Sequence, residues 1–324
     1  HQYWFLIGPF FVVIYNIYYK RKLTPDLRIN KKNFSFATIK ELVSQGIWNS
    51  IASLGTMLLS SLDLLIANLL IDENEMGILS VAKSMPNVVS SFGTTVATVF
   101  FAAMAIDFAK EDMNVLVKTV KQSTRFSGYI TTIPLGFLIV YGREFYSLWQ
   151  PTLDATRLHI LSLLTVAGLI FLAGASAVGN IFTVTLKVKE RSIVTLITGA
   201  SSLLITLVLV KFTNLGVYAI AGVSSVVNTV SMIVYVVPYA AQSIGKPKRT
   251  FMSVVFRSLI STGVLVAIGY AIKLVMPCGS WVTLIASAFV FAIVSAVANL
   301  FVMMDKEMRN LALNFVKTKF LKKG

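Results

Sequence analysis

A single cysteine, Cys278, and two histidines, His1 and His159, are all the thiol and imidazole in the 324 residues. One cysteine closes no disulfide framework, and no Cys-rich metal site is possible. His159, near a helix end, reads as an interfacial residue rather than a ligand. Charge is also scarce: 13% of residues, against roughly a quarter in a soluble domain. Acids are scarcer than bases, 14 Asp+Glu against 29 Lys+Arg. HExxH, CxxC, a Walker loop, GxSxG and paired carboxylates in an outer loop are all missing, so no catalytic site and no cofactor is expected. The net charge of +15 is no nucleic-acid footprint, because the basic residues sit between apolar blocks. The chain opens on His1-Gln2-Tyr3 within an apolar stretch. That stretch has no charged n-region and no small-residue cleavage site, so it is not expected to be a signal peptide. The expectation is a fragment whose N-terminal part is missing.

What is abundant is apolar surface: 56% of residues, with a mean hydropathy of +0.77. Membrane spans need about 20 predominantly apolar residues. The blocks that qualify or nearly do are Tyr3–Tyr19, Leu42–Ile71, Gly77–Ala105, Phe126–Val140, Leu158–Leu186, Ser192–Val210, Val217–Ala240, Phe251–Val275 and Trp281–Met304. They predict an all-α polytopic membrane protein of about nine transmembrane helices. Under strict alternation, 24 of the 29 basic residues fall on one side and four on the other. The positive-inside rule then puts the C-terminus in the cytoplasm. Trp4, Trp149 and Trp281 fall at outer ends and Trp48 near an inner one, as interfacial aromatics do. Residues 20–41 read as a basic cytoplasmic linker. The tail 305–324 reads as a basic helix on the inner leaflet.

Polar residues recur inside two adjacent spans. Gln45, Asn49, Ser53, Thr56, Ser60 and Asp63 follow at steps of four or three, one helix face. Lys83, Asn87, Ser91, Thr94 and Thr98 form a second stripe. Weaker ones are Ser176, Asn180 and Thr183, then Ser224, Asn228, Ser231 and Tyr235. Lipid tails offer such groups nothing, so the stripes face other helices or a water-filled cavity. Asp63 and Lys83 are the only charges deep within spans. Each lies about ten residues, roughly 15 Å, from the acidic turn Asp72–Glu75. At equal depth they can compensate each other, in a structural or a functional role.

A basic linker leads into Gly46-Ile-Trp-Asn49, a polar-striped helix and Ser61-Leu-Asp63-Leu-Leu-Ile-Ala-Asn68. A short acidic turn, Met76-Gly-Ile-Leu-Ser-Val-Ala82 with Pro86, and Phe145-Tyr-Ser-Leu-Trp149 with Pro151 follow. This resembles the second half of bacterial polysaccharide flippases, the O-antigen repeat-unit transporters of the multidrug/oligosaccharidyl-lipid/polysaccharide exporter superfamily. The resemblance implies fourteen helices in two six-helix lobes plus two terminal ones. On it, residues 1–19 are a truncated sixth helix of the first lobe, 42–241 the six-helix second lobe, and 242–304 the two additional helices. It implies a multi-pass bacterial inner-membrane protein that flips undecaprenyl-pyrophosphate-linked oligosaccharide by alternating access through a cationic cavity. Its partners would be that lipid-linked oligosaccharide, membrane lipids, a polysaccharide polymerase and a chain-length regulator. Lys83 falls near a cavity-lining cation of related flippases, whereas an Asp at the place of Asp63 is common and points to structure. The other readings are a drug or metabolite antiporter of the same superfamily and a membrane-embedded polymerase.

Overall fold

Inside hydrocarbon no water meets a backbone N–H or C=O, so an apolar block must close its hydrogen bonds internally. The chain does so with helices. A computed structural model describes residues 4–23 and 34–310, and among them there is no strand. Residues 24–33 of the expected basic linker and residues 311–324 of the expected surface helix of the tail lie outside the described residues.

The chain divides into two compact units, His1–Gly46 and Ile47–Gly324. The first holds α1 (Trp4–Leu23), which ends on Lys20, Arg21 and Lys22, and the start of α2 (Phe36–Thr56). The second carries the rest of α2, a π-bulge at Met57–Ser61 and α3 (Asp63–Leu70). Then come α4 (Glu73–Val99), α5 (Phe101–Ala109), α6 (Met113–Trp149), α7 (Ala155–Leu172) and α8 (Ser176–Val184). After α9 (Val188–Phe212) and α10 (Val217–Ser231), a second π-bulge at Met232–Val236 leads into α11 (Val237–Ser243). The chain closes with α12 (Met252–Val275) and α13 (Trp281–Met303).

Among the described residues six helices are long and apolar enough to cross a membrane, or seven if the bent pair α2–α3 counts as one span. Of the nine expected blocks, those in α1 and α6 fall outside this count, which turns on length and composition alone. In α1 the tyrosines and terminal bases dilute the apolar run. α6 is 37 residues long and packs against α4, α7, α12 and α13. A helix walled in by neighbours does not need a lipid-compatible surface, so its Thr, Tyr, Gly and Pro residues are tolerated. The blocks are also less straight than their hydropathy suggests. Residues 42–71 bend by 48° between α2 and α3.

Packing is inverted relative to a water-soluble domain. Leu274, Val275 and Val282 are 78–88% exposed, while Ser123, Thr131, Ser261, Ser295 and Asn299 are fully buried. With lipid as solvent, apolar burial no longer drives association; close approach and interhelical hydrogen bonds do. A Cβ added at Gly55 would lie 2.6 Å from backbone atoms of Thr195 and Leu196, so α2 and α9 cross at a spot only glycine permits. Asn299 donates to Thr132 Oγ1 (2.8 Å) and the Tyr129 carbonyl (3.0 Å) and accepts from Ser261 (2.6 Å), joining α6, α12 and α13.

The few acids mostly do structural work. Asp72, Asp112 and Asp154 cap the starts of α4, α6 and α7 through their side chains, satisfying N–H groups that the helix leaves orphaned. Ion pairs then group the helix ends. Arg157 binds Glu75, Lys273 binds Glu144, and Phe145 packs on Trp149 and Trp281; these mark one end of the bundle. At the other, Lys118 pairs with Glu307, Arg125 with Asp305, and Lys246 reaches Asn114.

Candidate functional site

The two embedded charges meet. Asp63 begins α3, just past the first π-bulge, and Lys83 lies three turns into α4. Lys83 Nζ donates to Asp63 Oδ2 at 2.6 Å and to the Ser60 carbonyl at 3.2 Å. Ser224 on α10 completes the group, its hydroxyl donating to Asp63 Oδ2 at 3.5 Å. Asp63 is 3% exposed and Lys83 8%. A buried ammonium is tolerable because carboxylate and carbonyl satisfy its donors, and removal of either charge would strand the other.

The helix geometry behind this is local. Pro86 has no N–H, so the carbonyl of Ala82 on the preceding turn has no helical donor. The hydroxyl of fully buried Tyr146 on α6 supplies it at 3.0 Å. The irregular turn in α4 is therefore pinned one residue from Lys83. Opposite it, the π-bulge at Met57–Ser61 turns the Ser60 carbonyl toward the lysine, and such bulges recur where helices serve a site.

Lys83 borders a cavity of about 260 Å³ between α4, α7 and α10. Ser60, Asn87, Thr94 and Asn228 line it with Lys83, and so do Ser90, Thr131, Thr165 and Ser225. Many of the hydroxyls bond back to their own helix: Thr94 to the Ser91 carbonyl, Thr131 to Ser127, Thr165 to Leu161. The carboxamides of Asn87 and Asn228 have no hydrogen-bond partner among the described residues, which leaves them open to a ligand. The volume lies just under the ~300–1,000 Å³ of small-molecule sites. It suits a headgroup, not a whole oligosaccharide.

Not every stripe residue gathers there. Asn49, Ser53 and Thr56 line a separate open groove of about 530 Å³. The reason is the π-bulge: its extra residue rotates the helix, so a stripe counted at 3.6 residues per turn splits in two. Ser91 is exposed outside the cavity and bonds the Val88 carbonyl. Asn180 joins α8 to α4 by donating to the Ala97 carbonyl at 2.9 Å. Thr131, beside Thr132, and Thr165 carry no sequence signal, since small polar residues within apolar runs are common and neither belongs to a periodic stripe. His159 bonds the Leu138 carbonyl through Nε2 at 3.1 Å and fills the space left by Gly142. Among the described residues no group of three or more His, Cys, Asp and Glu could hold a metal ion.

An all-α chain with six or seven membrane-long helices, a polar interior and a buried ion pair on a cavity wall is a multi-pass membrane protein, and comparison with known proteins points to polysaccharide biosynthesis. Residues 8–147 match the family model described as polysaccharide biosynthesis protein, a stretch that includes Asp63 and Lys83. The chain is also 26% identical over 323 residues to the uncharacterized membrane protein EpsK of Bacillus subtilis (strain 168). That match takes in 97% of this chain, which spans 62% of the length of EpsK. No solved structure gives a significant match. Together these findings make the chain similar to polysaccharide-biosynthesis membrane proteins.

Proposed function

We propose that the protein flips an undecaprenyl-pyrophosphate-linked oligosaccharide, an O-antigen or related polysaccharide repeat unit, across the bacterial inner membrane by alternating access. Lys83 is its contact for the pyrophosphate, and the chain is not an enzyme. The observation that carries this is the placement of Lys83: a buried cation three turns into α4, on the wall of a hydroxyl- and carboxamide-lined cavity. A pyrophosphate concentrates negative charge, and an ammonium in low dielectric attracts it strongly while tolerating varied geometry. Asn87 and Asn228 offer donors and acceptors to the sugar. In this reading the basic end of the bundle, with the C-terminus, faces the cytoplasm, where positive charge is retained. A polymerase and a chain-length regulator act on the flipped unit. Asp63, held by Lys83 and Ser224, is not free for ion coupling, which disfavours the antiporter.

The test is surface polysaccharide in cells whose sole copy of the gene carries Lys83→Arg, Lys83→Ala, or the swap of Asp63→Lys with Lys83→Asp. Arg should keep partial export, while Ala and the swap should lose it. Full export from the swap would make the pair purely structural and sink the assignment.

A further inference from the structure

The second polar stripe of the α10 region does not stop at the cavity. Ser224 touches Asp63, Asn228 and Met232 line the cavity, and the helix continues through the π-bulge to Tyr235 and Tyr239. The fifteen steps from Ser224 to Tyr239 rise about 22 Å along the axis, enough to reach the basic end of the bundle. There Tyr235 stacks on Tyr239 (centroids 5.0 Å apart) and Tyr239 on Phe182 of α8 (5.9 Å). Two cations lie against this stack: Lys187 Nζ is 6.0 Å from the Tyr239 ring and the Arg191 guanidinium 5.9 Å from Phe182.

The chemistry of this cluster is incomplete. Arg191 is half-buried, yet no hydrogen bond or ion pair reaches its guanidinium among the described residues. A ring face answers its charge in part but takes none of its five N–H donors. Lys187 uses one donor, on the Ser243 carbonyl at 3.3 Å. The hydroxyls of Tyr235 and Tyr239 have no partner among the described residues, and Tyr235 ends the stack with no ring beyond it. Glu190 is close enough to Tyr235 to act on it electrostatically, but it makes no ion pair with Arg191 or Lys187. A cation fork, a second ammonium and phenolic hydroxyls without acceptors match a ligand rich in anionic oxygens, such as a diphosphate. An open aromatic face beside them suits an attached sugar ring or the first apolar carbons of a lipid.

We infer that Arg191 and Lys187, mounted on the Phe182–Tyr239–Tyr235 stack, form a capture site for the diphosphate of a lipid-linked substrate, about 20 Å along the bundle from Lys83. This rests on the flippase reading and adds to it a first station at the basic end, from which the headgroup passes along α10 to the central lysine. A guanidinium grips one phosphate bidentately, which leaves the Lys187 ammonium for the second phosphate of a diphosphate.

The test uses the full protein in phosphatidylcholine nanodiscs, titrated with undecaprenyl diphosphate and, in a second arm, with phosphatidylglycerol as competitor. Arg191→Gln should weaken undecaprenyl diphosphate binding about tenfold or more, the scale of one lost charge-assisted contact. Arg191→Lys should lose less. As a guard against disruption of α9 by Arg191→Gln, Lys187→Gln, just before that helix, carries the same test on a second side chain. Unchanged affinity in both Gln variants would overturn the site. So would phosphatidylglycerol competing on equal terms, since the cluster would then hold any anionic headgroup. Export in Lys83→Ala cells separates the two ideas. Normal export there defeats the flippase contact, whereas binding that ignores Arg191 and Lys187 defeats only the capture site.

Discussion

Replacing Asp63 by alanine leaves Lys83 charged, 8% exposed and bonded only to the Ser60 carbonyl. At 2.6 Å the pair attracts by about 6 kcal/mol in an effective dielectric near 20. Desolvation of both groups offsets much of that, but losing one partner alone strands a charge, at a cost of about 3–5 kcal/mol. For a large domain each kcal/mol shifts melting by about 2–4 °C, so Asp63→Ala should melt about 6–20 °C below the parent. Asp63→Leu combined with Lys83→Met removes both charges and restores packing volume. That double variant should recover most of the melting temperature, because a buried pair and an apolar replacement are similar in energy. It should still export nothing, because the phosphate contact is gone. The assay is thermal melting of the detergent-solubilised protein, followed by size exclusion, alongside surface polysaccharide in cells. An Asp63→Ala protein that melts with the parent would refute the dependence of the buried lysine on its carboxylate. A double variant that exports normally would refute the role of the lysine itself.

Tyr146→Phe removes the donor to the Ala82 carbonyl and leaves a buried acceptor unmet; a loss of about 1–3 kcal/mol is expected, and unchanged melting would contradict it. Gly55→Val places a side chain against the backbone of Thr195 and Leu196; the monodisperse fraction on size exclusion should collapse, and a normal profile would show that α2 and α9 need no such contact. Cys278 lies between α12 and α13, half-buried, with its thiol 3.3 Å from Ser287. A membrane-impermeant maleimide should label it slowly from outside intact cells, and labelling only from inside-out vesicles would reverse the proposed orientation.

Hydropathy reveals most of this fold because each span must be apolar on the side that meets lipid. It underrates α6, whose neighbours shield it from lipid on several sides. Asp63 and Lys83 stand out in the sequence because charge within a span is costly, and their equal distance from one turn already makes them neighbours in depth. Counting residues could not show that Asn49 and Ser60 part company. The π-bulge between them is a backbone event with no residue signature, for Met57–Ser61 reads as ordinary helix. Asn299 was legible only as a lone amide in the most apolar helix. Its partners Thr132 and Ser261 look like any small polar residue until three helices bring them together.

The bond from Tyr146 to Ala82 also bears on descent. A phenol is needed at 146 only because Pro86 deprives that carbonyl of its usual donor; with any other residue at 86, the helix would close itself. The two positions should therefore change together among homologues. A lineage that loses the proline frees 146 to become phenylalanine or leucine, while one that keeps it retains a hydroxyl there. Chains that have abandoned both would close the Ala82 carbonyl within the helix itself, one residue from Lys83, and would hold that turn of α4 without help from α6.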